Sequence, residues 1–106
     1  MPQSLSLVIV HVIFSTKERR PFLVPDTRPK LHAYLATVAR NVDCEAYRVG
    51  GVADHVHLAI RLSRTITMAK LVETLKTASS KWLKTELPDL AAFSWQRGYG
   101  CFSVGP

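Results

Sequence analysis

Cysteine is scarce in this chain, which contains only Cys44 and Cys101. The two residues lie far apart and form no CxxC pair, the spacing that is typical of structural zinc sites and thiol redox motifs. With 106 residues, 47% of them hydrophobic, the chain is long enough to bury one core of its own. We therefore predict a single domain over residues 1–106, with two reduced and partly buried thiols, in the cytoplasm.

Long hydrophobic runs are also absent. The longest run lies near the N-terminus, is interrupted by His11, and is much shorter than the roughly 20 residues of a membrane-spanning helix. No basic segment precedes it, as one would in a signal peptide. We therefore predict neither a membrane segment nor a secretion signal in this stretch.

Acidic side chains are few. Eight Asp and Glu residues stand against 14 Lys and Arg residues, which gives a formal net charge of +6. This excess favours polyanions as partners, either nucleic acid or an anionic membrane surface. Charge alone does not choose between the two.

The hydrophobic pattern predicts the element order β-α-β-β-α-β. Strands are predicted at 5–15, 44–49, 54–62 and 100–104, and helices from Asp26 or Thr27 to about Asn41 and from Thr65 or Thr67 to Pro88. We expect Gly50 and Gly51 to form the turn between the second and third strands. With right-handed crossovers, this order gives an α+β, ferredoxin-like fold: a four-stranded antiparallel sheet with two helices on one face and an open second face.

The third strand carries two histidines, His55 and His57, in the segment ADHVHLAI. Side chains alternate along a strand, so both imidazoles fall on the open face together with Ala59 and Arg61. Their spacing of about 7 Å at Cβ allows both rings to reach one metal ion at about 2.0–2.1 Å. Two solvated histidines on a half-exposed strand are the alternative, and spacing alone leaves both interpretations open.

Two nearby residues are predicted to stand outside such a site. Asp54 is expected to point to the opposite face from the histidines, so that a third ligand must come from elsewhere. His11 shares its face of the first strand with Ile9 and Ile13, which favours a histidine in the core.

Four segments carry a resemblance to a known family. They are HVIFSTKERRPFL (11–23), RVGGVADHVHLAIRLSRT (48–65), SSKWLKTE (79–86) and FSWQRGYGCFSV (93–104). In this order the chain resembles the single-tyrosine HUH transposases of bacterial insertion sequences and their REP-associated relatives. HUH denotes histidine, a hydrophobic residue and histidine, here His55, Val56 and His57. The resemblance extends over essentially the whole chain.

This resemblance implies a function. Proteins of this family have a ferredoxin-like fold, form homodimers and recognise hairpin-forming single-stranded DNA. They cleave one strand with a divalent metal, Mg²⁺ or Mn²⁺, and a tyrosine hydroxyl becomes linked to the 5′-phosphate. The resemblance implies that His55 and His57 are the metal ligands.

The sequence departs from the family at its catalytic tyrosine. In the family, that tyrosine and a metal-binding glutamine lie on a further helix after the GYGCFSV-like segment, which here would fall beyond Pro106. Tyr34, Tyr47 and Tyr99 do not match that position. We therefore expect no catalytic residue within residues 1–106, and a truncated, disrupted or fragmentary transposase that is inactive alone.

Basic residues are the candidates for DNA contacts. We predict phosphate contacts from six of them: Lys17, Arg19, Arg20, Arg61, Arg64 and Arg97. Trp95 is either buried or stacked on a base. The alternative function is a non-catalytic, RRM-like module that binds single-stranded DNA or RNA, but the predicted strands lack paired exposed aromatic residues. A histidine-based nucleotide hydrolase is disfavoured because Ala59 occupies the place of a third histidine.

Overall fold

A computed structural model of the chain describes residues 8–104. In chain order its elements are β1 (Ile9–Ser15), α1 (Arg28–Asn41), β2 (Glu45–Val52), β3 (His55–Arg61), α2 (Met68–Glu86) and β4 (Gly100–Val104). Two short 3-10 turns follow β1 and α2, at Lys17–Arg19 and Pro88–Leu90. This is the predicted order, although residues 5–7 of the predicted first strand lie outside the described residues. The α+β, ferredoxin-like fold is confirmed.

The four strands form one antiparallel sheet in the order β2-β3-β1-β4. The central pair, β1 and β3, directs every second side chain into the core, where these residues pack with apolar residues of both helices. The core residues of the pair are Val10, Val12, Phe14, Val56, Leu58 and Ile60, none of which is more than 5% exposed. The alternating residues lie on the opposite face and are all partly exposed.

The two helices begin where the sequence predicts, but by different means. Thr67 caps α2, because its side-chain oxygen accepts a hydrogen bond from the Lys70 N–H at 3.1 Å. Thr27 precedes α1 without such a bond, since it is buried and already has helical backbone angles. Pro29 then occupies the first turn, where a missing N–H costs nothing.

The predicted turn at Gly50 and Gly51 is wrong. Both glycines belong to β2, where they pair with His57 and Val56, and the turn falls at Ala53 and Asp54. A glycine pair serves a tight turn or a close approach between neighbouring groups equally well. Here it serves the close approach, because a Cβ on either residue would collide with β3.

The two cysteines are both free thiols. Cys44 is buried, and its sulfur accepts a hydrogen bond from the Ser63 N–H at 3.3 Å. Cys101 is exposed on β4, so the prediction of partial burial is wrong for this residue. Between residues 8 and 104, neither helix is long and apolar enough to cross a membrane.

Candidate metal and DNA-binding site

His57 lies near the centre of the open face. Its backbone pairs with Gly50 on one side and Ile13 on the other, and Ile13 pairs in turn with Gly100 of β4. This row of four residues crosses the whole sheet. His55 lies two residues back along β3, and the centroids of the two imidazole rings are 6.3 Å apart. The prediction that both rings share the open face is confirmed.

Asp54 holds the ring of His55. Its carboxylate oxygen Oδ1 lies 2.9 Å from His55 Nδ1, so the prediction that Asp54 points away from the histidines is wrong. Strand alternation does not apply to Asp54, because this residue belongs to the turn before β3. The hydrogen bond to His55, followed by the charge of Arg19, lowers the pKa of the Asp54 carboxyl. An ionised carboxylate only accepts, so Nδ1 carries a proton, and in the neutral ring Nε2 is then the nitrogen whose lone pair can bind a metal.

The turn that carries Asp54 is anchored by the segment between β1 and α1. Within that segment, the Thr16 N–H donates to the Asp54 carbonyl at 2.9 Å, and the Leu23 N–H donates to the Ala53 carbonyl at 3.0 Å. Thr16 is fully buried, and its hydroxyl donates to the Arg20 carbonyl at 2.7 Å. The position of Asp54, and through it the ring of His55, is therefore fixed by backbone contacts from a second part of the chain.

His57 is surrounded by positive or potentially positive groups. Partial burial lowers its pKa first, and the charges of His11, His55 and Arg48 lower it further. A lowered pKa keeps the imidazole neutral at pH 7, and the neutral form is the one that binds a metal.

His11 does not lie in the core as predicted. Its ring is partly exposed on the open face, and the ring centroid is 5.9 Å from that of His57. Because β1 is apolar on both alternating faces, hydrophobicity alone could not indicate which face the helices cover.

In the described part of the chain, His55 and His57 have no third side chain placed to complete a metal site. Between residues 8 and 104, no group of three or more His, Cys, Asp or Glu side chains is arranged to hold a metal ion. For both rings to bind one ion at about 2.0–2.1 Å, their centroids would have to approach by about 1 Å. Such a two-nitrogen site leaves coordination positions open for water or phosphate oxygens.

Five of the six predicted DNA contacts fall into two groups in the structure. Lys17, Arg19 and Arg20 are exposed beside the His55 end of β3, where Arg19 Nη1 lies 3.7 Å from Asp54 Oδ2. Arg61 lies four residues after His57, about 13 Å along β3. Arg64 follows β3 at the same end, which is the end away from His55. Only the first group is adjacent to the histidine pair.

Arg97, the sixth predicted contact, lies beside the end of β1 and the start of β4. It lines a cavity of about 240 Å³ that Ile13, Tyr99 and Gly100 also line, next to the row that contains His57. The preceding residue, Gln96, is attached to β1, because its N–H donates to the Ser15 carbonyl at 2.8 Å. Arg97 thus lies closer to the histidines than its distance in sequence indicates.

Two functional candidates were missed by sequence reasoning. Arg48 pairs with Ala59 on the open face, and its charge acts on His57. The misplaced turn hid this contact, since it gave β2 and β3 the wrong register. Lys76 of α2 donates from Nζ to the carbonyls of Gln96 and Gly98 at 2.8 and 2.6 Å, and so holds the loop that carries Arg97.

Trp95 and Tyr34 have structural contacts. The Trp95 indole N–H donates to Ser79 Oγ at 3.0 Å, and its ring packs edge-on against Phe14, so Trp95 is half-buried against the core, which favours the buried alternative over base stacking. Tyr34 stacks on Trp82 in the helix layer, with ring centroids 5.0 Å apart. Tyr47 lies at the bulge of edge strand β2.

Two solved structures share this fold. A candidate transposase from Deinococcus radiodurans R1 superposes with a TM-score of 0.90 at 23% identity, over 99% of this chain and 85% of that one. A REP-associated tyrosine transposase bound to a REP hairpin superposes with a TM-score of 0.66 at 14% identity, over 100% of this chain and 64% of that one. The protein thus shares the fold of these two transposases.

The family assignment comes from sequence. The chain matches the profile of the IS200-like transposases over residues 4–106. It therefore belongs to the IS200-like transposase family. No curated protein matches it by sequence.

Proposed function

We propose that this protein is a metal-binding and DNA-binding transposase domain that acts on hairpin-forming single-stranded DNA. The observation that carries the proposal is the Asp54–His55 contact of 2.9 Å beside His57 on the open face. This contact leaves Nε2 of His55 available, as in the carboxylate–histidine pairs of metal sites. Membership of the IS200-like transposases adds the DNA-handling function to which such a site belongs.

His55 and His57 would hold the divalent metal, either Mg²⁺ or Mn²⁺. When bound, such an ion polarises a phosphate oxygen and favours attack on the phosphodiester. The protein's part is to hold His55 through Asp54, to keep His57 neutral, and to leave the rest of the coordination sphere open. Two imidazoles suit Mn²⁺ better than Mg²⁺, and we expect weak binding of either.

The DNA would be bound by the cations beside the histidines. Lys17, Arg19 and Arg20 are exposed next to the Asp54 turn, and Arg97 lies at the same end of the sheet, beside the start of β4. The hairpin in one of the structural neighbours supports hairpin DNA as the ligand class. The alternative, an RRM-like binding module, has less support, because the open face of β1 and β3 carries histidine and aliphatic side chains. We propose that the protein acts as a homodimer in the cytoplasm.

The nucleophilic tyrosine is proposed to lie outside the described residues. Tyr34 is occupied in the helix layer, Tyr47 lies on the edge strand, and Tyr99 lies two strands away from β3. Residues 1–106 should therefore form no covalent adduct with hairpin DNA in the presence of Mn²⁺. An adduct mapped to Tyr99 would contradict this part of the proposal.

Calorimetric titration with MnCl₂ tests the metal site. His55→Ala and His57→Ala should each weaken Mn²⁺ binding at least about tenfold, because each removes one of two nitrogen ligands. Lys84→Met is the control, since Lys84 is exposed on α2 and its loss should leave the affinity unchanged. Unchanged Mn²⁺ affinity in both open-face variants would show that the assignment of the site is wrong.

Titration with labelled DNA tests the partner. Hairpin-forming single-stranded DNA should bind more tightly than a duplex of equal length, and both affinities should fall steeply with salt. Arg20→Ala should weaken binding more than Arg64→Ala, because only Arg20 lies beside the histidines. Equal binding of hairpin and duplex would reduce the interaction to nonspecific charge attraction.

A further inference from the structure

We infer that Gly50 is a positioning residue for His57: the absence of a side chain at Gly50 makes the space in which the metal-binding imidazole lies. This inference rests on the proposed metal site, and it adds a residue on a different strand to that site.

The geometry of Gly50 carries the inference. Gly50 pairs directly with His57, so any side chain on Gly50 would project on the same face as the imidazole. A Cβ placed there would lie 2.7 Å from His57 Cε1 and 3.0 Å from His57 Nε2. Contacts this short are well inside van der Waals separation, and the second involves a nitrogen that could bind the metal. The imidazole is rigid, so the whole ring would have to move.

The other neighbours of His57 limit where the ring can go. Ile13 lies opposite His57 on β1. The ring centroids of His11 and His55 lie 5.9 Å and 6.3 Å from that of His57. A ring displaced from Gly50 must therefore move towards β1 or rotate about χ1 or χ2. Either motion changes the direction of its nitrogen lone pair relative to His55. Binding sites are held within about 0.5 Å of their productive geometry, so a displacement of the ring away from that geometry, in addition to the approach that binding already requires, should lower the affinity.

The other strand glycines separate this effect from general strand packing. A Cβ on Gly51 would collide with the backbone of His55 and lie 3.0 Å from Val56 Cα, so Gly51 serves the pairing of β2 with β3. A Cβ on Gly100 would meet only Ile13 Cβ, at 4.0 Å, which is an ordinary contact. Gly100 lies at the opposite end of the row that contains Gly50 and His57. Gly100→Ala is therefore a matched control for Gly50→Ala.

The experiment uses the full 106-residue chain and MnCl₂ as the probe. Histidine side-chain NMR follows the imidazole Cε1–H signals, of which the chain has four. In the wild type, the His57 Cε1–H should give a nuclear Overhauser effect to the Hα protons of Gly50. In Gly50→Ala, the His57 signal should shift further than that of His32, and calorimetry should give an Mn²⁺ affinity at least about tenfold lower. Gly100→Ala should match the wild type in both measurements.

Each outcome decides the inference. The role of Gly50 would be overturned if Gly50→Ala bound Mn²⁺ within twofold of the wild type while His57→Ala lost its affinity. The proposed metal site would then stand. Mn²⁺ affinity that is absent in the wild type or unchanged in His57→Ala would overturn the proposed metal site, and this inference with it. If Gly50→Ala does not fold, the wild-type Overhauser effect decides alone, and its absence would contradict the position of the ring.

Discussion

The two faces of the β1–β3 pair differ in burial and in the side chains that they carry. On the helix side, six apolar side chains are at most 5% exposed. On the open side, the ring of His57 lies 5.9 Å from that of His11 and 6.3 Å from that of His55, all three residues are partly exposed, and the pKa of His57 is lowered by burial and by its neighbours. The same fourteen residues of two strands supply both surfaces.

This difference assigns separate tasks to alternate residues. Burial of the helix-side residues provides the apolar stabilisation of the fold, at about 25 cal/mol per Å² removed from water. The histidines of the open face contribute little burial, and their value lies in the ring nitrogens that they present. Because the strand period is two, a register slip of one residue would exchange the two faces, which makes the pairing of β3 with β1 strongly specified.

The largest expected effect comes from breaking the covered face. Leu58→Ala removes a fully buried side chain that directly follows His57, and should lower the free energy of unfolding by about 2–5 kcal/mol. His57→Ala, one residue away, should change it by no more than about 1 kcal/mol. Urea unfolding of both variants measures the contrast, and equal losses would refute the division of tasks.

A smaller effect is expected at the end of the open face. Asp54→Ala removes the acceptor for His55 Nδ1 and should weaken Mn²⁺ binding by about 10–100-fold, because the ring is no longer held and its tautomer is no longer fixed. Asp54→Asn keeps an acceptor oxygen and should lose less. Calorimetry compares the two variants, and the idea fails if both bind Mn²⁺ as the wild type does.

Lys76 connects α2 to the loop that precedes β4. Lys76→Met keeps the apolar stem but removes the hydrogen bonds to Gln96 and Gly98, and should cost about 1 kcal/mol of stability. Burial lowers the pKa of the Lys76 ammonium, which means that the folded protein disfavours this charge by desolvation. That desolvation cost offsets part of the stability that the two hydrogen bonds contribute. The affinity for hairpin DNA should also fall, because the loop that carries Arg97 is freed. Lys84→Met is the control, since Lys84 is exposed on the same helix, and equal effects would argue against the loop contact.

The smallest effect is expected from pH. Burial, followed by the charges of His57 and Arg28, lowers the pKa of His32, and burial with the charges of His11, His55 and Arg48 lowers that of His57. Both groups stay neutral in the folded state while the unfolded chain takes up protons below about pH 6.5. The stability of the metal-free protein should therefore be full above that pH and fall as the pH drops below it.

Urea unfolding between about pH 7.5 and pH 5 measures this dependence. The variant His32→Gln should give a shallower slope, because one of the two groups with a lowered pKa has been removed. A stability that does not change over this range in the wild type would contradict the pKa shifts.

Much of the fold could be predicted because hydrophobic period and capping residues act locally. The order of elements, the start of α2 at Thr67 and the last strand at Gly100–Val104 all follow from such signals. The orientation of His55 and His57 was predicted correctly for the same reason, since Val56 and Leu58 mark the buried face of β3.

The errors have a common cause, because each depends on contacts between segments that are distant in sequence. Gly50 lies in β2 opposite His57, where a Cβ would come within 2.7 Å of the imidazole, and the sequence of β2 contains no sign of that ring. His11 lies on the open face because the helices cover the other one, which an apolar strand cannot indicate. Asp54 reaches His55 because Thr16 and Leu23 hold the turn.

The loop that holds the Asp54 turn also carries Lys17, Arg19 and Arg20. Its backbone is bonded to the turn at Thr16 and Leu23, and to the Ser94 carbonyl through the Lys17 N–H at 3.0 Å. The backbone positions from which these three side chains extend are therefore fixed relative to the Asp54 turn by backbone hydrogen bonds. The loop and the histidine pair thus belong to one backbone framework, and a polyanion that contacted both would require no rearrangement of the backbone between them.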